Sequence, residues 1–317
     1  MKQAFIVLLL LFVTGCSEES YPKIPANQSF AATLNLKDTT ISFIDKQYQK
    51  ITEWDLSDPF LGGLLVDDGD TLLIYGKDME KISVYSLSLG KKLESWDVGR
   101  GIVSMTQLHT GELAAVNQES NEVYFLASTG DIEKKVKVGK QPQSLIPDKS
   151  GERLYVINFG EGKLSVLNTS SMKIEKEIEI PPSSTGGLLR EKESEIWIGG
   201  HGSGSEVEER IHIYSTQTGK LIKTLKAPTM PIKFIENEDG IFIASHGSSM
   251  IYTFNHSYEQ TASSVIGANP FEMELFNGDL LVAGYDSNEL YVVNSTSGKV
   301  LSTVKTGKGP FQLMIRE

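Results

Sequence analysis

The chain of 317 residues has a single cysteine, Cys16. One thiol excludes a disulfide framework, a four-thiolate zinc site and a thioredoxin-like redox pair. Long hydrophobic runs are also missing. The longest is the ten-residue stretch Ala4 to Val13, too short to cross a bilayer of about 30 Å as a helix. Basic excess is absent: 30 Lys and Arg face 41 Asp and Glu, for a net charge of −11. Nucleic-acid binding is therefore not expected, because phosphate contacts need a basic footprint. Catalytic signatures are lacking too, with no Gly-x-Ser-x-Gly elbow, no His-Glu-x-x-His and no Cys-x-x-Cys-His. Beyond Cys16 no segment shows a 3.6-residue apolar period, so almost no helix is expected.

What is present begins with an address. Lys2 supplies a positive n-region, Ala4 to Val13 an apolar h-region, and Val13-Thr14-Gly15-Cys16 follows. This order resembles the lipobox signal of bacterial lipoproteins. The resemblance implies a signal peptide over residues 1–15 and a diacylglyceryl group on Cys16. It implies an extracytoplasmic, membrane-anchored protein, on the outer membrane if the cell has two, since Ser17 rather than Asp follows the cysteine. Two acyl chains hold a protein to a membrane where one does not. Residues 16–28, polar and carrying Pro22 and Pro25, read as the lipidated cysteine and a flexible tether.

From residue 29 to 317 one unit recurs. Alternating strand-like runs start at Ile41, Ile82, Val123, Leu164, Ile211, Ile251 and Leu290, with spacings of 41, 41, 41, 47, 40 and 39 residues. Each is preceded by a second apolar run, such as Arg153 to Asn158, and followed by a Gly/Lys turn and a third run, such as Leu221 to Leu225. Punctuation such as Gly139-Lys140-Gln141-Pro142 or Gly307-Lys308-Gly309-Pro310 then leads into a fourth. Four short strands per roughly 41 residues is the unit of a propeller blade. The last run, Pro310 to Ile315, is a first strand with nothing after it, and the first repeat lacks that strand. The expectation is an all-β, seven-bladed propeller of four-stranded antiparallel blades, closed by the C-terminal strand completing blade one. Closure removes exposed strand edges.

Tyr155-Val156-Ile157-Asn158, Ser165-Val166-Leu167-Asn168 and the Gly-x-x-Pro punctuation resemble the YVTN-type repeat, and Leu290 to Asn294 echoes it. That family implies an extracytoplasmic propeller, often at the cell surface or in the periplasm, and implies no single activity.

Function must be sought in the loops that open on one face. Six residues before each marker run sits a small or Asn residue (Asn35, Gly76, Asn117, Asn158, Ser245, Gly284, with Gly200 aligned by its strand), as a tight strand exit needs. The next column reads Leu36, Lys77, Gln118, Phe159, His201, His246 and Tyr285. Aromatic and imidazole groups on blades four to seven read as a sector of the channel mouth that can meet a sugar, a peptide or a partner loop. The structural alternative is packing between blades. Arg100, Lys140 and Lys308 in the blade-entry loops form a modest basic ring on the same face. His201 and His246 are each followed by Gly-Ser and are the candidate ligands of a divalent metal, with a third donor, Asp286 or Glu161, left unfixed by the spacing. His109, His212 and His256 read as structural. A Gly-rich insertion, residues 199–210, lengthens the fifth-blade loop.

The function expected is a lipid-anchored binding or scaffold module without a cofactor, probing an envelope protein or wall polymer as a monomer. The alternative is a metal-dependent, lactonase-like hydrolase or lyase at the channel mouth. Cys16→Ser is expected to abolish palmitate incorporation and move the protein from the detergent phase to the aqueous phase on Triton X-114 partition. Unchanged partition would count against the lipobox.

Overall fold

The computed structural model describes residues 19–66, 69–204 and 206–317. Cys16 and the signal segment lie outside them. Among the described residues, 28 strands form seven four-stranded antiparallel sheets in sequence order around a ring. The one helical element among the described residues is a single 3-10 turn, His246–Ser248. No helix among them is long and apolar enough to cross a membrane.

Burial explains why short alternating runs suffice. In each blade the second strand is covered on both faces by its neighbours, so Phe30–Asn35, Leu113–Asn117 and Ile241–Ser245 are buried throughout. The outermost strand faces water and keeps one inward residue, as in Lys50–Asp55, where Trp54 alone is buried. Trp96, Val136, Ile178, Leu225 and Val304 hold the same place in other blades. The core is accordingly seven apolar layers, each between two adjacent blades.

The C-terminal strand Pro310–Arg316 pairs antiparallel with Phe30–Asn35, from Phe30 opposite Arg316 to Asn35 opposite Pro310. This completes blade one, as the repeat arithmetic predicts. Two side chains lock the seam. Gln312 accepts from the Gly63 N–H at 3.0 Å and donates to the Gly63 carbonyl at 2.8 Å, tying blade one to blade two. Arg316 donates to the carbonyls of Pro25, Gln28 and Gly69, and its guanidinium lies 4.4 Å from the Phe30 ring centre.

The polar segment expected to be a tether is laid against the propeller from Ser20 onward. Ser20 bridges to Lys91, and the N–H groups of Tyr21 and Ile24 donate to the carbonyls of Gly90 and Leu87. Tyr21 stacks on Trp54 at 4.7 Å, and the Trp54 indole donates to the Pro22 carbonyl. Ile24 is fully buried. Burying one Ile contributes about 1.5–3 kcal/mol, enough to hold a short segment that composition alone marks as free.

Blades five and six are stapled on the opposite face from the channel mouth. Arg190, with its side chain 1% exposed, donates to Glu236 at 2.9 Å and Glu195 at 3.4 Å, and pairs with Glu193 at 3.5 Å. The Tyr258 hydroxyl and the Trp197 indole both donate to Glu195. Removing one partner of a buried ion pair strands the other charge and costs about 3–5 kcal/mol. Arg190→Met is therefore expected to lower the unfolding free energy by about that amount in urea titrations. Adding Glu195→Gln should recover part of the loss, and no change in midpoint for Arg190→Met would show that the network carries no stability.

Candidate functional site

The loop between second and third strands and the loop entering each blade open on one face, at the mouth of the central channel. Six of the seven innermost strands carry a bulge at this end, opposite the last residues of the second strand. A bulge turns one residue out of the ladder and re-aims its side chain. In blades three to seven and in blade one the extra residues are Val103, Gln143, Thr185, Ile232, Phe271 and Phe311.

Loop and bulge residues meet in a one-sided arc. Phe159 and His201 sit edge to face at 6.3 Å, and His201 and His246 at 5.9 Å. His246 packs against Phe271 at 4.3 Å, and Phe271 against Tyr285 at 5.2 Å and Phe311 at 5.1 Å. The four residues that sequence alignment put in one column are thus brought into one continuous surface, all half-buried. Phe271 and Phe311 escape that alignment. Their sequence signal is their place directly after the proline of the Gly-x-x-Pro punctuation, and only the bulge reveals where they point.

Lys37 closes one end of the arc. Its ammonium lies 4.2 Å from the Tyr285 ring centre and 2.8 Å from an Asp286 oxygen. Asp286 also accepts from Asn269, and these two hydrogen bonds hold its carboxyl below the ordinary range. The basic ring is less coherent than expected. Arg100 pairs with Glu80 at 3.3 Å, and Lys308 gives its backbone N–H to Asp38. Lys140 is exposed in the loop beside Phe159, its carbonyl accepting from Gly160.

The imidazoles carry an unusual electrostatic load. Burial pushes both His201 and His246 below the usual imidazole range, and the neighbouring His201 lowers His246 further, against a smaller upward pull from the Pro270 carbonyl and Asp286. Nδ1 of each ring is buried without a hydrogen-bond partner. Of the third donors the sequence offered, Asp286 is engaged by Lys37 and Asn269, and among the described residues no group of three or more His, Cys, Asp and Glu side chains is arranged to hold a metal ion. Two of the other histidines face carboxylates. His212 faces Glu208 at 3.3 Å, and His256 faces Glu236 at 3.1 Å. The fifth-blade insertion packs back on the arc, the Glu208 N–H donating to the His201 carbonyl and the Met230 N–H to that of Glu208.

A second polar cluster lies deeper in the channel. Lys233 reaches Glu272 at 2.5 Å and Glu274 at 2.8 Å across blades six and seven. Between 18% and 36% of each of these side chains is open to water. Desolvation raises the Glu272 carboxyl despite the lysine, and the two carboxylates hold the Lys233 ammonium above its ordinary range. The cluster satisfies itself, with the cation between the two anions.

No family model matches the chain, and no curated protein does. The YVTN-type likeness therefore stays a resemblance of motifs. Solved structures do match. A functionally unknown protein from Desulfotomaculum acetoxidans superposes with a TM-score of 0.74 at 12% identity, covering 90% of this chain and 98% of that one. The hydrazine synthase of Kuenenia stuttgartiensis gives 0.72 at 12% identity over 89% and 99% of the two chains. Apo AztD from Citrobacter koseri gives 0.62 at 11% identity over 91% and 97%. At such identities the likeness shows the fold, and a propeller hosts many functions.

Bases whose folded pKa lies below the unfolded value are protonated first in the unfolded chain, so stability rises with pH through that window. The His201 and His246 contribution should be intact above about pH 6.5, the unfolded imidazole value. It should be lost as pH falls below that value toward the depressed folded ones. Urea midpoints of wild type are expected to drop more steeply between about pH 6.5 and 5 than those of a His201→Gln, His246→Gln variant. Parallel curves would show that the pair is not the titrating element.

Proposed function

We propose that the protein is a binding module, held through Cys16 to the extracytoplasmic face of the cell membrane, or to the outer membrane where there are two, whose contact surface is the aromatic arc at the channel mouth. The observation that carries this reading is the one-sidedness of the arc. Blades one to three fill the same loop column with Leu36, Lys77 and Gln118, and Lys77 simply donates to Gln118 at 3.1 Å. Ring closure thus does not demand aromatic residues at this position. Their concentration on blades four to seven, extended by Phe271 and Phe311, is extra to the needs of the fold.

The physical properties suit recognition. Edge-to-face pairs are worth about 0.5–1.5 kcal/mol each beyond burial, so neighbouring rings fix one another and little side-chain entropy is left to lose on binding. The two buried Nδ1 atoms without a partner each cost about 1–3 kcal/mol, a cost packing alone does not call for at this position. The partner of this reading is an envelope protein or wall polymer presenting flat or apolar groups. The hydrolase or lyase alternative asks for a third metal donor beside His201 and His246, and Asp286, one of the two the sequence offered, is held by Lys37 and Asn269.

Cross-linked pull-downs from native membranes would compare wild type with the triple variant Phe159→Ala, His201→Ala, His246→Ala, with folding of both checked by circular dichroism. The expected result is a specific protein or wall fragment captured by wild type and lost in the variant. Equal capture by both would move the contact surface elsewhere, and no specific capture by wild type would overturn the binding reading.

A further inference from the structure

The outermost strands are the free edges of the blades, and they are not alike. Lys50–Asp55, Lys91–Asp97, Ile132–Lys137 and Lys173–Glu179, of blades one to four, each carry charges of both signs. Charged side chains on an exposed edge are how a sheet resists pairing with another chain. On blades five and seven, Leu221–Lys226 and Val300–Lys305 carry lysine and no acid. On blade six, Gln260–Val265 carries no charge and no proline. Apolar groups collect on the same three strands. Of the nine exposed large hydrophobics among the described residues, Leu221, Ile222, Val265, Val300 and Leu301 lie there, Val265 being 73% exposed. Single exposed apolar residues are ordinary, whereas a group of them rimmed by polar residues marks an interaction surface.

The edge has both halves of a pairing site. Ile266 donates its N–H to the Ser249 carbonyl, next in register after Val265 opposite Met250. Bonding alternates along an antiparallel ladder, so the N–H and carbonyl groups of Ser263 and Val265 turn away from blade six. The flanks supply charge. Among the described residues, the ammonium groups of Lys220, Lys226, Lys299 and Lys305 are paired with no carboxylate, and that of Lys223 lies 3.9 Å from the Tyr258 ring centre. A crevice of about 420 Å³ beside Gln260 is lined by Lys226, Ala227, Pro228 and Thr229, with Glu209 on its wall. Glu259, next to Gln260 in the chain, accepts from Asn255. The fold also shows such an addition: Ser20 bridges antiparallel to Lys91 at the edge of blade two.

We propose that the Gln260–Val265 edge of blade six docks an extended, acidic segment of a partner protein, which adds to the sheet by main-chain pairing and sets its carboxylates against the lysines of blades five and seven. In such an addition the main chain supplies affinity and the flanking groups select. The lysines choose the acid: Lys220, Lys223 and Lys226 stand on one flank and Lys299 and Lys305 on the other, in a chain whose net charge is −11. A second copy fits worse. Two Gln260–Val265 edges paired about a two-fold place blade five opposite blade five and seven opposite seven, lysines facing lysines. The edge lies on the outer rim and shares no residue with the aromatic arc, so this surface is additional to the one proposed above.

The test uses the full chain in detergent and a dansyl-labelled octapeptide of alternating valine and glutamate, read by fluorescence anisotropy. Saturable binding is expected, weakening as salt rises. The valine/lysine counterpart should not bind. The fully N-methylated octapeptide keeps its charge but has no N–H to pair, and should also fail. Ser263→Pro removes an outward N–H while leaving the blade's own ladder, and is expected to weaken binding about tenfold. Lys226→Glu with Lys299→Glu should shift the preference to the valine/lysine peptide. No saturable binding by wild type, or binding that survives N-methylation or Ser263→Pro unchanged, would overturn the proposal. Two further outcomes would also overturn it. Adsorption to phosphatidylglycerol vesicles abolished by the lysine reversals would assign the rim to headgroups. Sedimentation showing dimers broken by Ser263→Pro would assign the edge to a second copy.

Discussion

The pairing of the C-terminal strand with Phe30–Asn35 is the interaction on which the ring depends. Blades bury apolar surface only against each other, so a ring left open at one seam exposes two layers at once. The layer between blades one and two holds Trp54, Phe30 and Ile74, and that between blades seven and one holds Phe276, Leu313 and Val304. A strand borrowed from the far end of the sequence closes both and supplies the backbone partners that an edge strand would lack. Arg316 extends the same seam to the N-terminal segment, so ring closure and the docking of residues 25–28 are one structural unit.

Closure also explains where function can reside. The core positions of every blade are taken by packing, and the outermost strands are solvated. The mouth loops and the bulged first residues of the innermost strands are the places where sequence can change without opening a layer. In the loop column blades one to three carry mixed residues and blades four to seven carry rings and imidazoles, and of the six bulge residues the two aromatic ones are Phe271 of blade seven and Phe311 of blade one. The bulges matter because they aim Phe271 and Phe311 toward residues on the loop column of their own or the preceding blade. The arc is thus built by two structural devices acting on the same end of the sheet.

The N-terminal segment shows the limit of compositional reading. Residues 16–28 contain few apolar groups, and polarity with two prolines argues for a tether. Yet one Ile, one Tyr and a handful of backbone bonds decide its fate, because the groove they enter is created by blades one and two and by Trp54, none of them neighbours in sequence. The same reasoning explains which residues of the arc the sequence foreshadowed and which it did not. The loop column was legible because it sits at a fixed offset from strands of regular spacing. Phe271 and Phe311 were not, since a one-residue bulge reverses which way a side chain points and leaves no periodic trace. The basic ring was legible only as composition: Arg100 is paired with Glu80, which the neighbouring loop brings to it.

By itself the sequence determined the repeat, the number of blades and the way the ends complete blade one. These follow from strand-period patterning and spacing, which are local properties repeated seven times. It also carried the lipobox-like start and an overall negative charge. Only the tertiary structure decided that the rings of four blades touch, that Asp286 is bound to Lys37 rather than turned to the histidines, and that the N-terminal segment is docked at the hairpin end. Those outcomes depend on distances between residues tens to hundreds of positions apart, such as Lys37 and Asp286, and such distances are set by ring closure rather than by any local preference.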